Sequence, residues 1–316
     1  MTPRPPPGPF WLRRLSGVGC LMLAALLPGS GRPVLVEARE IPVTLPPLVI
    51  WTHAQQLASP RPPPFVAKFR RGSKQLSYVA CIHSESDGES LTTRLVRREF
   101  ALSKHQAIIL ELTCGPPLEN PTPEVCARFF RRITRREGGD DWLGGFLALE
   151  AGVPIFSGEP TPTAVRDLML QRYTGRDLVA YHILRALPSR KAARRGPFRG
   201  REFDEAVTSA IRGNHLDESA RLTYAQFQAW FLEKNKDRFD YDEMRNYSAP
   251  RNHEEALFTE RMGHHADAIR DSRTMAVVAD CLGRFDRVLV CYGVGHFGST
   301  QQRLQELLGQ PHEYAR

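Results

Sequence analysis

Apolar residues in this chain gather into short runs separated by helical patterns, an order that predicts an α/β domain. The first two runs are Phe65–Phe69 and Leu76–Ile82. Arg70-Arg71-Gly72-Ser73-Lys74 joins them, a glycine-containing loop that predicts a β-hairpin. Leu91, Leu95 and Leu102, helped by Val96 and Phe100, then recur at helical spacing. Ala107–Leu112 (AIILEL) reads as a buried strand carrying Glu111 near its end, with Gly115-Pro116-Pro117 as the breaker. Thr122-Pro123-Glu124 and Thr161-Pro162 each place a capping Thr before a Pro at the first helical position, so a helix starts at both.

Between those helices, Trp142–Ala151 is a helical pattern and Val153–Phe156 a brief strand-like run, followed by Gly158-Glu159-Pro160. Residues 174–250 are polar and helical without a strand pattern, with a basic loop at Arg190–Arg201. A long helix bearing Met262, Ile269, Met275, Val278 and Leu282 leads into Arg287–Tyr292 (RVLVCY), the last buried strand. That strand ends in Gly293-Val294-Gly295-His296, and an amphipathic helix, Gln302–Leu308, is expected to close the chain.

The domain proper is expected to span 65–316. Residues 39–64 hold seven prolines (42, 46, 47, 60, 62, 63 and 64) and read as an extended lead-in. Residues 1–38 read as a secretory signal. Arg13 and Arg14 precede the apolar run Leu15–Leu27, which is too short to span a bilayer. Cleavage after Ala38 or near Gly31 fits this pattern; an uncleaved anchor is the alternative, with membrane contact through this segment alone. The expected location is periplasmic or secreted.

Composition changes this picture little. The chain is 41% hydrophobic and 25% charged, ordinary for a globular protein. Three of its eight net positive charges come from the first 38 residues, so the remaining surplus does not argue for a nucleic-acid partner. Five cysteines follow the signal: Cys81, Cys114, Cys126, Cys281 and Cys291. They show no CxxC spacing, hence neither a disulfide framework nor a zinc cage. Cys81 and Cys291 fall in apolar runs and read as small buried hydrophobes, while Cys114 and Cys126 are the one pair considered for a bridge.

Familiar motifs are missing. Gly293-Val-Gly295-His-Phe-Gly298 matches GxGxxG, but only 18 residues follow it, too few for the second strand a dinucleotide site requires. His253-Glu254-Glu255 lacks the second His of a zincin, and no GxSxG nucleophile elbow occurs. Four polar residues remain, each at or just past the end of a strand-like run: His83, Glu111, Glu159 and His296. Ligand sites collect at such strand ends. Two imidazoles and two carboxylates suit Zn²⁺, Mn²⁺ or Co²⁺. Such an ion polarises a carbonyl and acidifies bound water, and a carboxylate left off the metal serves as general base.

The segments Ala80-Cys81-Ile82-His83, Ile109-Leu110-Glu111-Leu112, Gly158-Glu159-Pro160 and Tyr292-Gly293-Val294-Gly295-His296 occur in an order that resembles the TIKI superfamily. That group includes the Tiki proteases, the TraB/pheromone-shutdown proteins, ChaN-type haem-binding proteins and the erythromycin esterases. Its pattern is GxxH, Glu, Glu and GxxH on successive strands, and the resemblance spans about residues 65–310. Ala80 stands where the first Gly is usual. The resemblance implies a central mixed sheet flanked by helices, with a helical insertion at about 174–250. It also implies His83, Glu111, Glu159 and His296 as the site, with Arg273 as a supporting charge. The expected activity is metal-dependent hydrolysis of a peptide or ester bond in a peptide or small-molecule substrate. The alternatives are a haem or iron-complex binding protein, with Tyr292 or a nearby His on the iron, and an interaction module acting through Arg128–Arg136 or Arg190–Arg201.

Overall fold

The computed structural model describes residues 62–82, 90–112, 122–133, 142–192, 198–241 and 256–316. The signal segment, nearly all of the proline-rich lead-in, His83 and Cys114 lie outside them. Six strands form one mixed sheet among the described residues: β1 (Phe65–Arg71), β2 (Lys74–Cys81), β3 (Ala107–Leu110), β4 (Ile155–Ser157), β5 (Arg287–Gly293) and β6 (Glu313–Ala315), in the order β4-β3-β5-β2-β1-β6. The helices are α1 (Leu91–Ser103), α2 (Pro123–Arg132), α3 (Leu143–Ala151), α4 (Pro162–Leu170), α5 (Gly175–Ala192), α6 (Arg201–Gly213), α7 (Tyr224–Asn235), α8 (Phe258–Arg284) and α9 (Val294–Leu308).

Strands β4, β3, β5 and β2 run parallel, while β1 and β6 continue the sheet antiparallel. The expected hairpin forms, and its turn is only Gly72-Ser73, because Arg71 pairs with Lys74. Gly72 takes a φ of +60°, which glycine adopts without strain. The parallel strands are covered on both faces, which is why their sequences read as unbroken apolar runs. Alternate residues go to opposite sides. Tyr78, Ile109, Val290 and Tyr292 meet α8 and α9. Val79, Ile108, Leu110, Leu289 and Cys291 meet α1, α2 and α3.

Thr122 and Thr161 cap α2 and α4 as expected, each accepting from a backbone N–H three residues on. The fully buried residues of α2 are Cys126 and Phe130, with Phe129 and Ile133 partly buried against the same core, while Arg128, Arg131 and Arg132 face solvent. Helices α5 to α7 occupy the predicted insertion and build an apolar core of their own from Phe198, Phe203, Phe227, Trp230 and Phe231.

Two expectations about the C-terminal end are corrected. The last helix begins at Val294, eight residues before Gln302, so that it leaves the sheet directly from β5. The chain then returns as β6 against β1. No helix among the described residues is long and apolar enough to cross a membrane.

Candidate functional site

Parallel strands in the order β4-β3-β5-β2 bring their carboxyl ends side by side, so residues just past those ends become neighbours. Strand β3 stops at Leu110, which leaves Glu111 one residue beyond it. Strand β4 stops at Ser157, two residues before Glu159. Strand β5 passes straight into α9, whose third residue is His296. The structure therefore gathers three of the four residues singled out by sequence. A carboxylate oxygen of Glu111, another of Glu159 and a ring nitrogen of His296 lie within 4.8 Å of one another. His83 falls outside the described residues, although β2 ends with Cys81 in register against Gly293, the last residue of β5.

The pairing of the carboxylates depends on Arg270 of α8. Its guanidinium forks onto Glu159, with Nε 2.7 Å from Oε2 and Nη2 2.8 Å from Oε1. The same Nη2 donates to Glu111 Oε1 at 2.9 Å, and Nη1 reaches Asp267 Oδ1 at 3.3 Å. The family resemblance implies Arg273 as the supporting charge; the guanidinium that reaches both carboxylates belongs instead to Arg270. Two residues of helix turn a side chain by about 200°. Arg273 thus points nearly opposite to Asp271, away from the strip that Asp271 and Thr274 present to the strand ends, and its Nε is buried without a hydrogen-bond partner. Burial works against a charge on Arg270, but the charges and hydrogen bonds of Glu159, with Tyr292 and Glu111, hold its pKa well above the ordinary value.

Each carboxylate has further support. Glu111 Oε2 accepts the backbone N–H of Gly293 at 2.6 Å, at the start of α9. The Tyr292 hydroxyl donates to Glu159 and accepts from Thr274 at 3.0 Å. Burial, reinforced by the Glu159 charge, raises the Tyr292 phenol well above its usual range, so it stays a donor. Tyr292, considered as an iron ligand in the haem reading, is wholly buried with its hydroxyl committed to this network. The glycine of Gly158-Glu159-Pro160 also has a function. A Cβ there would meet Tyr292 Cε2 at 2.8 Å and the Leu110 carbonyl oxygen at 3.0 Å.

His296 is held between two acids. Nδ1 lies 2.5 Å from Asp271 Oδ1, and Nε2 lies 3.5 Å from Glu111 Oε1. Asp271 also accepts a hydrogen bond from the Ser299 hydroxyl. Burial alone would depress the imidazole, but the Asp271 charge and the hydrogen bonds to Asp271 and Glu111 outweigh it and push its pKa up to about 10. Sequence reasoning gave neither Asp271 nor Ser299 a role in the site. The available signal was weak: an acid on the same helix face as the mid-helix Arg270, and a hydroxyl three residues after the histidine.

Four carboxylates (Glu111, Glu159, Asp271 and Asp267) gather around the Arg270 guanidinium and the His296 imidazole, and the charge of Arg303 acts on Asp271 as well. Glu111, Glu159 and His296 fit a divalent ion by their chemistry, as two hard oxygen donors and a borderline nitrogen. Comparison with family models, with curated proteins and with solved structures gives no match, and the likeness to the TIKI superfamily is carried by the four motifs alone.

Proposed function

We propose that this protein is an exported hydrolase of peptide or ester bonds that works with a divalent cation, Mn²⁺, Co²⁺ or Zn²⁺, held by Glu111, Glu159 and His296. The observation that carries this reading is the meeting of those three donors within 4.8 Å at adjacent strand ends. Bound there, the ion supplies a polarised carbonyl and a water acidified toward a pKa of about 7.

The chain's own residues supply the rest. Glu159 is held by Arg270 and Tyr292, and Glu111 by Arg270 and the Gly293 N–H, so both acids are preorganised. Whichever carboxylate oxygen stays off the ion is placed to take a proton from the attacking water. Arg270 spends its donors on Glu159, Glu111 and Asp267, so its part is to keep both acids in place and to set positive charge beside the reacting groups.

The test is a thermal-shift series of the full chain with each cation, followed by hydrolysis assays on peptide and ester substrates with wild type and His296→Ala. The reading expects a cation-specific rise in Tm and turnover that a chelator removes, with both effects lost in His296→Ala. A Tm indifferent to all three cations overturns it.

A further inference from the structure

An imidazole turns about its Cβ–Cγ bond unless something holds it, and only one setting of the His296 ring brings Nε2 to the two glutamates. Contacts on both sides of the ring fix that setting. Nδ1 lies 2.5 Å from Asp271 Oδ1, and the ring stands edge-on to Tyr292, with centroids 4.9 Å apart and planes at 87°. Asp271 is itself pinned. It is 1% exposed, so its carboxylate has no water to turn toward and must be satisfied by protein donors. Its hydrogen-bond partners among the described residues are His296 and Ser299. Those two are three residues apart on α9 and so share one helix face. Ser299 also lies 3.0 Å from the His296 carbonyl oxygen, which closes a small ring of contacts around the first turn of that helix.

We infer that Asp271, steadied by Ser299, is a positioning residue: it accepts the Nδ1 proton of His296 and thereby aims the Nε2 electron pair at the cation bounded by Glu111 and Glu159. This rests on the cation reading above and deepens it. The acid never touches the ion. It fixes which ring nitrogen carries the proton and which way the ring points, and carboxylates in that place behind a ligating imidazole set affinity by about 10–100-fold.

The experiment titrates full-length, metal-stripped protein with Zn²⁺, Mn²⁺ and Co²⁺ separately, with far-UV circular dichroism and melting curves recorded for every variant. Asp271→Ala is expected to bind about 10–100-fold more weakly than wild type. Asp271→Asn keeps an oxygen for Nδ1 and turns its amide toward Ser299, so it is expected to recover part of that loss. A merely structural role predicts lower melting temperatures with unchanged affinity in the folded state. Folded Asp271→Ala that binds like wild type, or Asp271→Asn that binds no better than Asp271→Ala, overturns the inference. Should Asp271→Ala not fold, Ser299→Ala carries the test: a several-fold loss supports the inference and wild-type affinity overturns it. Wild-type protein that takes up none of the three cations brings down the cation reading itself, a failure distinct from a variant series that binds without difference.

Discussion

Replacing Arg270 by Met removes the guanidinium that, among the described residues, bridges both site glutamates. In the wild type its guanidinium makes a two-pronged bridge to Glu159 at 2.7 and 2.8 Å and a further bond to Glu111 at 2.9 Å. The side chains involved are only 12–16% exposed, so water does not replace the lost partner. Breaking a buried pair by deleting one member costs about 3–5 kcal/mol, because the other charge stays behind uncompensated. At roughly 2–4 °C per kcal/mol for a domain of this size class, the melting temperature is expected to fall by about 6–20 °C. Differential scanning calorimetry of metal-free protein at pH 7 measures this directly. Repeating the scan at high salt should leave the difference in place, since screening acts weakly on buried charges. An exposed ion pair contributes about 0–1 kcal/mol. A shift of less than about 3 °C, or one that salt abolishes, therefore refutes the claim that Arg270 organises a buried centre.

Other perturbations reach different parts of the structure. His296 has its folded pKa raised to about 10 against an ordinary 6.5. The stability it contributes is therefore complete below pH 6.5 and is lost as pH rises through about 10. In chelator, the unfolding free energy of wild type should fall over that window by up to about 1.4 kcal/mol per pH unit relative to His296→Gln; equal slopes count against the Asp271–His296–Glu111 arrangement. Gly158→Ala drives a methyl to within 2.8 Å of the Tyr292 ring. Urea denaturation is expected to show a loss of about 1–3 kcal/mol, and an unchanged midpoint contradicts the close packing. In the helical insertion, Trp230 Nε1 donates to the buried Asp177 at 2.7 Å, and Asp177 in turn holds Thr174 at the start of α5. Trp230→Phe leaves that acid short of a donor and is expected to cost about 1–3 kcal/mol in the same assay.

The strands were legible because each is buried on both faces, which forces consecutive apolar residues into Ala107–Leu110 and Arg287–Tyr292. The ends of those runs also marked Glu111, Glu159 and His296, since a polar residue just past a buried strand stands out against its neighbours. Strand β6 was not legible. Glu313-Tyr314-Ala315 is three residues long and half exposed, and only pairing with β1 makes it a strand. The start of α9 was hidden by Gly293 and Gly295, which read as a turn although the helix begins between them. The choice between Arg270 and Arg273 needed the rotation of α8 against the sheet, and no local pattern contains it. Asp271 and Ser299 were invisible for the same reason: they matter through a contact between α8 and α9, 28 residues apart. The aromatic core of the insertion was written in Phe198, Phe203, Phe227, Trp230 and Phe231, but their polar surroundings masked it.

Whether Glu111, Glu159 and His296 together hold a metal ion is decided by elemental analysis of purified protein, equilibrated with Mn²⁺, Co²⁺ or Zn²⁺ and then passed through a desalting column. Wild type is expected to retain metal in stoichiometric amount, and His296→Ala and the Glu111→Gln, Glu159→Gln double variant none above background. Wild type that emerges metal-free, or variants that retain as much as wild type, would contradict the cation reading.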